Sequence, residues 1–168
     1  IVKAVSPITA TIGQQLYYTV TVPSPAITAT MYTVLLTDVV DARFAVNSAS
    51  AHGGVGPAAA VNGQTVSASW TSILSSTQGY VVITATVRNL ITNTAGTVVP
   101  DTARFTWQNE YGQTYGPRDS NTVDVTIVEP DIGILKSATA PLGLKPGDIV
   151  TYTLTFSNAA GVNNSVAY

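Results

Sequence analysis

The same pattern opens this chain twice. Residues 1–22 run through an apolar pair, Lys3, a small-residue stretch and Gly13 into an alternating Tyr/Thr/apolar segment, and residues 134–156 do the same around Lys136. The two lysines lie about 130 residues apart, which is the length of a domain and not of a solenoid unit. The repeat therefore constrains the chain to be a piece of a tandem array, and such arrays more often build length or present surfaces than perform chemistry. The boundary falls at Glu129-Pro130-Asp131-Ile132, giving a complete repeat over 1–130 and the N-terminal part of a second over 131–168. About 35 residues cannot close a sandwich, so the second repeat is expected to be cut short or completed by another chain. A missing strand would leave an open edge of the kind that strand addition uses. The start at Ile1, not Met, reads as a processed or truncated end.

Period-2 alternation dominates, and helical periodicity is nearly absent. Strands are expected over residues 2–5, 15–22, 31–40, 44–48, 66–71, 80–88, 102–108, 121–128 and 149–157, with Pro, Gly, Asn and Ser clusters between them. Short strands with regular turn signals predict an all-β chain and an immunoglobulin-like β-sandwich, in tandem modules of which the second is incomplete. Residues 49–60, rich in Gly and Ala, read as a loop.

Composition narrows the function classes. Hydrophobic residues make up 45% of the chain, enough for a core, while charged residues make up only 10% and the net charge is −2. With no basic patch, nucleic acid is not an expected partner. No apolar run reaches the roughly 20 residues of a membrane-spanning helix. Cysteine is absent, which excludes disulfides and thiolate metal sites.

Strand parity places several charged or polar residues on inward rows. Lys3 shares a face with Ile1 and Val5; Asp38 with Tyr32, Val34, Leu36 and Val40; Asp101 with Ala103, Phe105 and Trp107; Asn121 with Val123, Val125 and Ile127. A lysine and carboxyls on such rows can form a buried ion pair or hydrogen-bonded cluster, or reach water from the strand ends.

The chain resembles the repeat domains of bacterial surface proteins and fimbrial shafts, of the conserved surface-repeat and isopeptide-forming fimbrial type. The resemblance rests on the opening Lys3, Gly13 before Leu16-Tyr17-Tyr18-Thr19-Val20, Val34-Leu35-Leu36-Thr37-Asp38, Pro100-Asp101-Thr102-Ala103-Arg104-Phe105-Thr106-Trp107, and the exit Val128-Glu129-Pro130-Asp131-Ile132. In the second copy it rests on Lys145-Pro146-Gly147-Asp148-Ile149-Val150-Thr151-Tyr152-Thr153. It implies a structural module of an extracellular filament, fimbria or adhesin stalk at the cell surface, without enzymatic turnover. The expected partners are neighbouring copies of the chain or adjacent repeats of a longer one, joined end to end.

Some members of that family cross-link a core lysine to an asparagine or aspartate. The chemistry needs a buried neutral lysine, a carboxamide or protonated carboxyl beside it, and a second carboxyl to carry protons. The resemblance points to Lys3 with Asp101 as acceptor and Asp38 as proton shuttle, where the family usually has asparagine at the Asp101 position. Asn121 is a rival acceptor, and an uncross-linked Lys–Asp cluster is the third possibility. Lys136 would repeat the role of Lys3 in the second copy.

Other residues carry less. His52, the single histidine, has no nearby second ligand or nucleophile and reads as a solvated loop residue. Asp119, Asp124, Glu129 and Asp131 cluster near the junction, but no calcium-loop spacing joins them, and an acidic edge is the plain reading. No metal site and no cofactor are expected. Trp70 and Trp107 read as core, not as a sugar platform. The alternative function is a ligand-binding adhesive module that recognises glycan or protein through residues 49–63 and 108–116. Asn163 begins a possible N-glycosylation triplet.

Overall fold

The computed structural model describes residues 1–130 and 132–158. Among the described residues there are strands, turns and loops but no helix, so none is long and apolar enough to cross a membrane. The strands of the first repeat begin with β1 (Val2–Ser6), β2 (Thr9–Ala10), β3 (Gln15–Val22), β4 (Met31–Val39), β5 (Phe44–Gly53) and β6 (Ala58–Asn62). They continue with β7 (Thr65–Ile73), β8 (Gly79–Val87), β9 (Val98–Asp101), β10 (Ala103–Gln108), β11 (Thr114–Asp119) and β12 (Val123–Ile127). Then come β13 (Ile132–Thr139) and β14 (Thr151–Asn158).

The fold is an all-β sandwich. One sheet has the order β1-β3-β8-β5 and the other β11-β10-β4-β7-β6, with neighbours antiparallel throughout. Alternation explains why they pack. On β3, Leu16, Tyr18, Val20 and Val22 are fully buried while the residues between them face outward. Val81, Ile83, Ala85 and Val87 do the same on β8, and Val66, Ala68 and Trp70 on β7. At about 1.5–3 kcal/mol for each large apolar side chain removed from water, these rows outweigh any local propensity.

A third, smaller sheet, β2-β12-β9, has β2 parallel and β9 antiparallel to β12. Thr102 alone separates β9 from β10, so the chain leaves one sheet and enters another at that residue. Asp101 therefore stands at a corner, yet Asp101, Ala103 and Phe105 all remain buried.

Several local expectations are corrected. Residues 49–60 are a loop only over 54–57: β5 pairs with β8 as far as Gly53↔Gly79, and β6 pairs with β7 from Ala58. Ala, Ser and Gly on an exposed edge carry no hydrophobic alternation, but their backbones complete the ladder all the same. Gly54 and, on the neighbouring β8, Gly79 make room for Trp70. A Cβ on Gly79 would stand 2.8 Å from the indole Cε2, and one on Gly54 (φ +57) 2.7 Å from Cδ1. Tyr32 is turned outward because Thr33 takes a φ of +45, rare for a β-branched residue. Against β10, Thr106 pairs with Leu35 and Gln108 with Tyr32, so β4 carries one extra residue there, a bulge that contains Thr33, and Met31 and Val34 both face inward. The last strand of the first repeat starts at Val123, so Asn121 precedes it and is exposed, not inward.

β13 and β14 form an antiparallel two-stranded ribbon. Its register matches that of β1 with β3: Lys136 lies opposite Leu154 and Ala138 opposite Tyr152, as Lys3 lies opposite Val20 and Val5 opposite Tyr18. Ile134, Tyr152, Leu154 and Phe156 on the ribbon are exposed. The triplet at Asn163 lies outside the described residues.

Candidate functional site

Lys3, Asp38 and Asp101 meet in the core of the sandwich. β1 brings Lys3 from the four-stranded sheet, β4 brings Asp38 from the five-stranded sheet, and the β9–β10 corner brings Asp101. All three residues are buried, and the side chains of Lys3 and Asp38 have no exposed surface at all. Nζ of Lys3 donates to Asp38 Oδ2 at 2.5 Å and lies 2.8 Å from Asp101 Oδ2. The contact with Asp101 is off the direction of a hydrogen bond, so it is a close approach of charges and not a donated bond. The ring of Tyr18 closes the remaining side, its centroid 4.6 Å from Nζ. That ring packs edge-on against Phe44, with centroids 6.5 Å apart.

A dry pocket with one ammonium and two carboxyls is electrostatically unbalanced, because buried charge is costly unless it is fully paired. Burial pushes the Asp101 carboxyl up to about 7, and the Asp38 carboxylate pushes in the same direction against the opposing pull of Lys3. Near neutral pH, Asp101 thus holds a proton much of the time. Burial, followed by the two aspartates, also raises the Tyr18 hydroxyl. That hydroxyl and Asp38 Oδ1 have no hydrogen-bond partner among the described residues. On its outer side Asp101 lines an open cleft of about 640 Å³, together with Thr37, Val39, Arg104 and Asp119.

Asn121 is close to Lys3 but engages its backbone. Its Oδ1 accepts from Lys3 N and its Nδ2 donates to Lys3 O, each at 2.9 Å. Sequence parity could not show this, because the amide reaches sideways to the edge of β1. Tyr18 was also not singled out, although its repetition offers a signal: Lys136 Nζ lies 4.5 Å from the Tyr152 ring centroid. Among the described residues Lys136 has no ion-pair partner.

The remaining candidates are dispersed. His52 is exposed on β5, not in a loop, and stacks on Tyr80 with centroids 4.9 Å apart. Asp119 is held by Arg104 at 2.8 Å, and the described residues contain no group of three or more His, Cys, Asp or Glu able to hold a metal. Asp131 lies outside the described residues. Trp70 is buried and donates from Nε1 to His52 O at 3.1 Å. Trp107 is only half-buried, stacked between Phe105 and Tyr115 at 4.9 and 5.6 Å. Within residues 108–116 the chain turns and then enters β11, which pairs with β10.

No protein-family model matches the chain, and no curated protein matches it. Solved structures do. A variant of BcpA, the major pilin subunit of Bacillus cereus, superposes with a TM-score of 0.63 at 16% identity, over 86% of this chain and 44% of that one. The fold is that of the major pilins. A two-domain fragment of the major pilin SpaD of Corynebacterium diphtheriae gives 0.58 at 14% identity, over 88% of this chain and 57% of that one. The N-terminal domain of an adhesin of Streptococcus gordonii gives 0.55 at 18% identity, over 76% and 32%. The chain thus spans less than half the length of the Bacillus pilin.

Proposed function

We propose that the chain is a structural module of an extracellular filament, fimbria or adhesin stalk, reinforced by an amide bond between Lys3 and Asp101. The observation that carries this reading is the approach of Lys3 Nζ to 2.8 Å from Asp101 Oδ2 in a core that shields both side chains from solvent, with Asp38 at 2.5 Å. Reacting atoms at about 3 Å in fixed geometry need little further entropy loss to react. Asp38 takes a proton from the ammonium, and the free amine attacks Cγ of the protonated Asp101 carboxyl. The C–N bond forms and the C–OH bond breaks; Asp38 gives its proton to the departing hydroxyl, which leaves as water, and takes the second proton from the new amide nitrogen, so that Asp38 ends protonated. Protonation of Asp101 matters because a carboxylate is a poor electrophile. The cleft beside Asp101 gives the water a way out.

The bond would form once, during maturation, and there is no turnover. Its value is mechanical, since a cross-link between β1 and the β9–β10 corner stops the first strand from being peeled away under tension. Residues 1–130 form one such module, and 131–168 begin a second in which Lys136 over Tyr152 repeats Lys3 over Tyr18. Filament assembly through copies of the chain or neighbouring repeats accords with the pilin fold.

Intact mass spectrometry of the purified chain tests this. A loss of about 18 Da, mapped to peptides containing Lys3 and Asp101, is the expected result, because acylating an amine with a carboxylic acid releases water. An unmodified mass would refute the amide.

A further inference from the structure

We infer that Ser120 and Asn121 act as a jig that sets Lys3 against Asp101 and Asp38, with Asn121 the positioning residue; this rests on the amide reading above. Lys3 lies on an edge strand of five residues, and its own N–H and C=O point away from β3. An edge held on one side only is free to slip or fray. The Asn121 side chain supplies one acceptor and one donor, as a peptide group would, and closes that edge from 118 residues away. Aspartate lacks the donor, alanine lacks both groups, and glutamine is longer by a methylene.

The same segment grips the other two members of the cluster. Ser120 N donates to Ala103 O at 2.8 Å, and Ser120 Oγ accepts from Ala103 N at 3.0 Å. Ala103 lies directly opposite Asp38 in the β10–β4 register. Two residues after Asn121, Val123 lies directly opposite Asp101. Ser120 Oγ also donates to Asn121 O at 2.8 Å, which stiffens the segment itself. The stretch before β12 is therefore hydrogen-bonded to the strand of the nucleophile and to the residue facing the shuttle, and it runs directly into β12, which pairs with the strand that carries the acceptor.

The test uses the whole chain made by cell-free synthesis, quenched in denaturant at successive times and weighed. Asn121→Ala is expected to lose water at least about tenfold more slowly than wild type, since a displacement of about an ångström costs reacting groups one or two orders of magnitude. Asn121→Asp, which keeps the acceptor and loses the donor, is expected to fall between. Val125→Ala loosens the same strand without touching Lys3 and is expected to react at the wild-type rate. Equal rates in wild type and Asn121→Ala would overturn the inference, as would equal slowing by Val125→Ala. If wild type loses no water at all, the amide reading fails by itself. The jig is then judged by carboxyl NMR, where Asn121→Ala should move the Asp101 titration upward as Lys3 drifts away, and an unmoved titration would overturn it.

Discussion

Nζ of Lys3 lies 2.8 Å from Oδ2 of Asp101, although the two residues come from different sheets and opposite ends of the repeat. The approach depends on two strand ends that would otherwise have no reason to meet. β1 is short and edge-placed, and β9 ends where the chain crosses into the next sheet. A cross-link between them would close a loop of about 100 residues, for which chain-entropy arguments give about 4–5 kcal/mol of stabilisation.

Asp101→Asn and Asp101→Ala separate acceptor from bystander. Asparagine at this position should lose ammonia in place of water, so the mass falls by about 17 Da from its own expected value. Alanine should leave the mass unmodified and lower the thermal midpoint, with the loss of the cross-link. An Asp101→Ala chain that still lost water would move the acceptor elsewhere.

Asp38→Ala should leave the ammonium of Lys3 with one carboxyl in place of two and remove the group that takes its proton. Water loss is expected to slow by at least about a hundredfold, within the range set by general-base groups. The readout is the cross-linked fraction against time, and a wild-type rate would remove Asp38 from the mechanism.

The pH dependence follows from Asp101. Its carboxyl titrates near 7 in the folded chain and near 4 when unfolded, so between those values the native state binds the extra proton. The stability contributed by that proton is fully present below about pH 4 and is lost as pH rises through about 7. In Lys3→Met, which cannot cross-link, the only neighbour that lowers Asp101 is gone, and the titration should move above 7. Denaturant melts of that variant should show greater stability at pH 5 than at pH 8. In the cross-linking chain, the rate of water loss should fall above pH 7 as the electrophile ionises.

What the sequence conveys here depends on whether the side chains carry a pattern. The rows of β3, β7 and β8 alternate apolar and polar, and their strands are legible to within a residue or two. Lys3, Asp38 and Asp101 stand on inward parity rows, and all three are buried. β6 and the second half of β5 are illegible because Ala, Ser and Gly on an edge bury little and signal nothing. Tyr32 escapes parity because the bulge of β4 against β10, which contains Thr33, shifts the count by one residue. Asn121 escapes it because its amide bonds to backbone, which has no residue-type signature.

Gly79→Ala tests the packing that holds β8 to β7. Gly79 is buried, and its missing side chain is what lets the Trp70 indole lie flat against the strand; an added methyl would stand 2.8 Å from Cε2 and 2.9 Å from Nε1. The ring cannot swing away freely, since Nε1 donates to His52 O and Gly54 closes its other side. Overpacking of this kind costs about 1–3 kcal/mol. Gly79→Ala should therefore lower the unfolding free energy by that amount, with an earlier denaturation midpoint, and shift Trp70 fluorescence to the red as the indole meets water. Water loss from the Lys3 site should persist in the folded fraction, because Trp70 pairs across from Val34, four residues before Asp38 on β4. A variant as stable as wild type would mean that β8 moves aside at no cost and that the two glycines do not define the indole slot.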